Sequence, residues 1–149
     1  MNKKQIKTLL KIEMTQYNDT RAESKKLKVV SKLVDKLPYQ DMNIRITENG
    51  FINKGDIMEY ITAWYYFGID NYVLDNKEYD IHLNGKFYEI KSVVINDSTP
   101  VKHLVDTLVI GQVNNTGVEW YEIPLKENTS LIGLKMSNKI LKNLKQYKQ

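Results

Sequence analysis

Apolar positions follow a helical rhythm over the first part of the chain and a strand rhythm over much of the rest. Residues 3–14 place Ile6, Leu9, Leu10 and Ile12 near helical spacing, with lysines between them, the pattern of a short amphipathic helix. Residues 15–23 are polar and predict a loop. Ser24 can cap a second helix whose Leu27, Val30, Leu33, Val34 and Leu37 form one stripe, and Pro38 ends it. Asn43 to Thr47 predicts a short strand before a turn at Asn49-Gly50. A third helix opens at Asn53 as cap, carries Asp56 in its first turn against the helix dipole, and stops at Gly68. Its Ile57, Met58, Ile61, Trp64 and Tyr65 share an apolar arc, with Glu59, Thr62, Ala63 and Tyr66 on the opposite side. Asn71 to Leu74 predicts a first core strand, residues 79–94 a hairpin, Leu104 to Val113 a buried strand, and Val118 to Ile123 a last strand stopped by Pro124. Residues 135–149 predict a helix whose lysines 135, 139, 142, 145 and 148 line one basic stripe.

The hairpin carries the chemistry. Asn84-Gly85 between two strand-like runs is a strong signal for a two-residue type I′ turn, which needs φ > 0 at both central positions. The register follows: Leu83 closes against Lys86, Ile81 faces Tyr88, Asp80 faces Glu89, and Glu78 faces Lys91. Asp80 and Glu89 are then a non-hydrogen-bonded pair with Cβ atoms roughly 4.5–5.5 Å apart. Two like charges facing each other are destabilising, so the pair needs a neutralising partner, for which a divalent cation is suited. Lys91, two residues beyond Glu89, falls on the same face. Asp75 is the rival first acid, but only Asp80 has the register that meets Glu89.

Asp80, eight intervening residues and then Glu89-Ile90-Lys91 resemble the PD-(D/E)XK nuclease superfamily. The Pro that usually precedes the Asp is replaced by Tyr79. The resemblance implies an α/β (α+β) fold with a restriction-endonuclease-like core: a central mixed sheet, a hairpin bearing the acids and lysine, and flanking helices. It implies Mg²⁺-dependent cleavage of DNA, with Asp80, Glu89 and the Ile90 carbonyl holding the metal and Lys91 orienting water or offsetting charge. The products would carry 5′-phosphate and 3′-hydroxyl ends. Gly55 and Glu59 on the preceding helix look like the superfamily's first helix, whose Glu joins the metal site or positions water. Ser98, Thr99, Lys102 and His103 follow the lysine at a distance where several restriction enzymes of this fold carry DNA-contacting side chains. One such site cuts one strand, so double-strand cutting by so small a chain implies a homodimer. The resemblance leaves a small type II restriction enzyme, a Holliday-junction resolvase and a homing or phage nuclease all open. A catalytically idle nuclease fold serving as a binding or anti-defence protein is the reading from a different class.

Composition narrows the metal and the surroundings. A length of 149 residues fits one domain, with residues 1–50 as a helical N-terminal extension. With no cysteine and two histidines, neither a disulfide frame nor a thiolate or imidazole zinc site can be built. A metal would be hard and oxygen-ligated, Mg²⁺ with Mn²⁺ as substitute. No apolar run is long enough to span a membrane and the Lys-rich start lacks a signal peptide's apolar stretch, so the expectation is a cytoplasmic protein with no membrane partner. Charge is unevenly spread: residues 1–50 hold eleven Lys/Arg against six Asp/Glu, residues 51–127 six against twelve, and residues 128–149 five lysines and no acid. An acidic middle between basic ends suits a protein that holds cations at its centre and phosphates at its flanks.

Overall fold

A computed structural model describes residues 1–16, 21–74, 78–93 and 105–124. These comprise helices α1 (Lys3–Gln16), α2 (Arg21–Asp35) and α3 (Lys54–Tyr65), then strands β1 (Ile81–Leu83), β2 (Lys86–Val93), β3 (Thr107–Val113) and β4 (Val118–Pro124). They form two compact units, one of residues 1–74 with Val113–Val118, the other holding most of the sheet. The fold is mixed α and β, as expected. The predicted strand at Asn71 to Leu74 does not form, and residues 43–47 contribute only one isolated bridge, Ile46 to Ile52. The predicted C-terminal helix over 135–149 and Asp75 lie outside the described residues.

In the first unit α1 buries Ile6, Leu10 and Glu13, positions i, i+4 and i+7 on one stripe. Ile12 lies off that stripe and is half exposed, against the expectation that it joins the apolar face. The buried Glu13 is spent on structure: its Oε1 accepts from Ile52 N at 2.9 Å and its Oε2 meets Lys54 Nζ at 3.1 Å. Helix α2 buries Leu27, Val30 and Val34. It starts at Arg21, so Ser24 is not its cap; the Ser24 hydroxyl instead donates to the Met14 carbonyl of α1 at 3.4 Å.

Helix α3 starts as the sequence predicts, with Asn53 Oδ1 accepting from Asp56 N at 3.1 Å. Asp56 is buried and forks with Arg45, whose Nε and Nη2 donate at 2.9 and 2.6 Å, while Arg45 N adds a third bond at 2.9 Å. Thr62 and Ala63 are fully buried, so the helix has no open solvent face on that side. Its surroundings cover it more completely than a one-sided apolar arc requires. Tyr60 anchors a ring cluster, edge-on to Tyr39 at 5.4 Å and to Tyr72 at 5.3 Å between centroids.

The sheet has the order β1-β2-β3-β4. Strands β1 and β2 form an antiparallel hairpin with Ile81 opposite Tyr88 and Leu83 opposite Lys86, the register expected from the turn. Asn84 (φ 52) and Gly85 (φ 77) occupy the left-handed region that a type I′ turn demands. The His82 ring stacks on its partner Phe87 at 4.1 Å. Strand β3 lies parallel to β2, Glu89 opposite Leu108 and Lys91 opposite Ile110, and is buried along most of its length as a covered parallel strand should be. The turn to β4 is closed by Asn114 N donating to Gly117 O at 2.9 Å.

Candidate functional site

The ladder between β1 and β2 ends at Ile81, one residue short of Asp80. Asp80 N donates to Tyr88 O at 2.9 Å, and Asp80 Oδ2 accepts from Ile90 N at 2.7 Å. A side-chain carboxylate has therefore taken the acceptor place of a strand carbonyl. Asp80 and Glu89 are still neighbours, but not as a regular facing pair, because the Asp80 backbone bends to bring its own oxygen onto the partner strand. The ladder also stops short of Glu78, so the expected strand pairing of Glu78 with Lys91 is not part of it. Glu78 lies before the ladder begins, and Lys91 Nζ instead contacts Glu89 Oε1 at 3.2 Å.

Both acids are buried, Glu89 at 3% and Asp80 at 7% exposure, and the Lys91 side chain is 16% exposed. Burial costs a charge its water, so such groups persist only where hydrogen bonds or opposite charges replace it. Here the Ile90 amide serves Asp80 and the Lys91 ammonium serves Glu89 Oε1, while Glu89 Oε2 is buried with no hydrogen-bond donor among the described residues. Asp80 is anchored on the amide of Ile90, the residue between Glu89 and Lys91, so two acids, a lysine and a backbone carbonyl are held within a few residues of each other. A second aspartate braces β2 at its other end: Asp106 Oδ2 accepts from Phe87 N at 2.8 Å, and Asp106 N donates to Phe87 O at 2.8 Å.

Glu59 belongs to the first unit, where Tyr72 Oη donates to its Oε2 at 3.2 Å. Ser98, Thr99, Lys102 and His103 lie outside the described residues. Among the described residues no group of three or more His, Cys, Asp or Glu gathers as a metal cage. The donors at the hairpin are two carboxylates and the Ile90 carbonyl, all hard oxygens. That set fits Mg²⁺, which takes one or two carboxylates and keeps waters and substrate oxygens as its other ligands.

Like Glu13, a buried acid on β4 does not stand out in the sequence pattern. Glu122 on β4 is buried, and its Oε2 meets no hydrogen-bond donor among the described residues. Its charge reaches Tyr88, whose hydroxyl pKa is raised by burial first and then by the charges of Glu122 and Asp106. The run Val118-Glu119-Trp120-Tyr121-Glu122 holds the signal: glutamates three apart on a strand cannot both face outward.

No helix among the described residues is long and apolar enough to cross a membrane. No family model, curated protein or solved structure matches this chain.

Proposed function

We propose that the chain is a Mg²⁺-dependent endonuclease that hydrolyses DNA phosphodiesters at the β1–β2 hairpin, with Asp80, Glu89 and the Ile90 carbonyl as metal ligands. The observation that carries this reading is the bond from Ile90 N to Asp80, which fixes the first acid against the segment bearing the second acid and the lysine. Bound there, Mg²⁺ would supply a water of lowered pKa and offset the charge that builds on the phosphorane-like transition state. Lys91, held by Glu89, offers an ammonium to the phosphate oxygens or the attacking water. Burial of the two acids, with Lys91 only partly exposed, limits competing solvent and strengthens each charge interaction.

A plasmid nicking assay with Mg²⁺, with EDTA, and with Lys91→Ala tests the reading. Nicking that needs Mg²⁺ and is lost in Lys91→Ala is expected; cutting that persists in EDTA or in that variant overturns the assignment. Discrete plasmid fragments would identify a restriction enzyme and cutting confined to four-way junctions a resolvase.

A second reading has its own observation. Ile90 N and Lys91 already hold one oxygen each of Asp80 and Glu89 within the hairpin, which suits an idle nuclease fold kept for binding. It predicts nucleic-acid or protein binding unchanged by EDTA, with no nicking under any divalent cation.

A further inference from the structure

Helices α1 and α2 carry nine Lys and Arg against three acids. Two of those acids are already engaged: Glu13 is buried against Ile52 N and Lys54, and Asp35 is paired with Lys7 at 2.7 Å. The positive charge is thus left facing outward. Along the seam of the two helices runs an open groove of about 510 Å³, lined by Lys7, Lys11 and Thr15 from α1 and Ser24, Lys28 and Ser31 from α2, with Met14 at its wall. The α1 residues recur at i, i+4 and i+8, the α2 residues at i, i+4 and i+7, so each helix contributes one continuous stripe. Lys11 and Lys28 are exposed, and among the described residues neither pairs with a carboxylate.

From this groove we infer that the α1–α2 seam is a docking surface for the phosphate backbone of duplex DNA. Lysine ammoniums neutralise phosphates, and the Ser31 hydroxyl can donate to a backbone oxygen, whereas those of Thr15 and Ser24 already donate to the Lys11 and Met14 carbonyls. At 1.5 Å per residue the stripe from Lys7 to Thr15 is about 12 Å long, on the scale of about two neighbouring phosphates of one strand. Its rim is ammonium and hydroxyl, whereas a membrane-lying helix needs an apolar face turned outward. The inference rests on DNA being the substrate of the hairpin site, and it adds a surface that holds the duplex without taking part in its cleavage.

The test measures anisotropy of a labelled duplex in EDTA, so that binding is read without cleavage. Lys11→Glu/Lys28→Glu is compared with wild type and with Lys25→Glu/Lys32→Glu, an equal charge change at exposed α2 positions outside the groove. The groove variant is expected to bind at least about tenfold more weakly, with a log–log salt slope shallower by about two, and to keep the wild-type circular dichroism spectrum. Its nicking should be restored at high DNA concentration. Wild type that does not bind DNA, a groove variant that binds like wild type, equal losses in both double variants, or binding to phosphatidylserine vesicles in place of DNA each overturns the inference. If the duplex binds through the groove but no divalent cation supports nicking, the surface stands and the nuclease reading falls.

Discussion

A carboxylate that accepts a backbone N–H and also carries charge does two things at once, and in Asp80 substitution can separate them. Asp80→Asn keeps an oxygen for Ile90 N and removes the charge, so stability should change by less than about 1 kcal/mol while nicking falls about a hundredfold or more. Asp80→Ala leaves the Ile90 amide buried without its acceptor, which should cost about 1–3 kcal/mol in urea denaturation. Glu13 divides the same way on the structural side. Glu13→Ala strands both Ile52 N and Lys54 and should cost about 3 kcal/mol, the low end for a broken buried pair because Lys54 keeps some contact with solvent. Glu13→Gln retains the amide bond and should cost clearly less.

At the scale of the element, the features legible in the sequence are those decided within a few residues. Asn84-Gly85 dictated its turn, and the turn dictated the register as far as Ile81. Asn53 caps α3 because the next turn offers its N–H groups to whatever oxygen is near; Asn53→Ala should lower stability by about 1 kcal/mol. What the pattern could not show depends on partners distant in the chain. The buried Glu13 reads as an ordinary polar helix position until Ile52 and Lys54 are brought to it. Thr62 and Ala63 read as a solvent face until neighbouring segments cover them. Asp80 reads as a strand residue with a regular partner, since nothing local reveals that its side chain will replace a backbone carbonyl. The nearness of Asp80, Glu89 and Lys91 was legible; the way their charges are compensated was not.

For the whole molecule, pH tests the packing directly. Burial pushes the Tyr39 hydroxyl up to about 12, with Asp70 and Tyr60 adding to the effect. Burial first and the hydrogen bond to Glu119 second push Tyr121 up to about 12 as well. A folded-state pKa above the unfolded value of 10 means that stability from these two hydroxyls is complete below about pH 10 and is lost as pH rises through 12. Denaturation curves taken across that window should show falling stability, and phenolate absorbance should show Tyr39 and Tyr121 titrating latest, near 12. Loss of that late phase in Tyr39→Phe/Tyr121→Phe would confirm the assignment.

The two-residue turn at Asn84-Gly85 also bears on how the chain reaches its native state. A hairpin of this kind closes in about 1–10 μs, whereas the parallel contact of β2 with β3 joins residues farther apart in the chain, such as Glu89 and Leu108, a slower event for entropic reasons. If the hairpin closes before β3 docks, Asp80 and Glu89 meet first in open water, where like charges repel weakly, and are dehydrated only as the rest of the fold covers them. The penalty for dehydrating the pair falls on a late step of assembly, after the geometry that tolerates it has already been set.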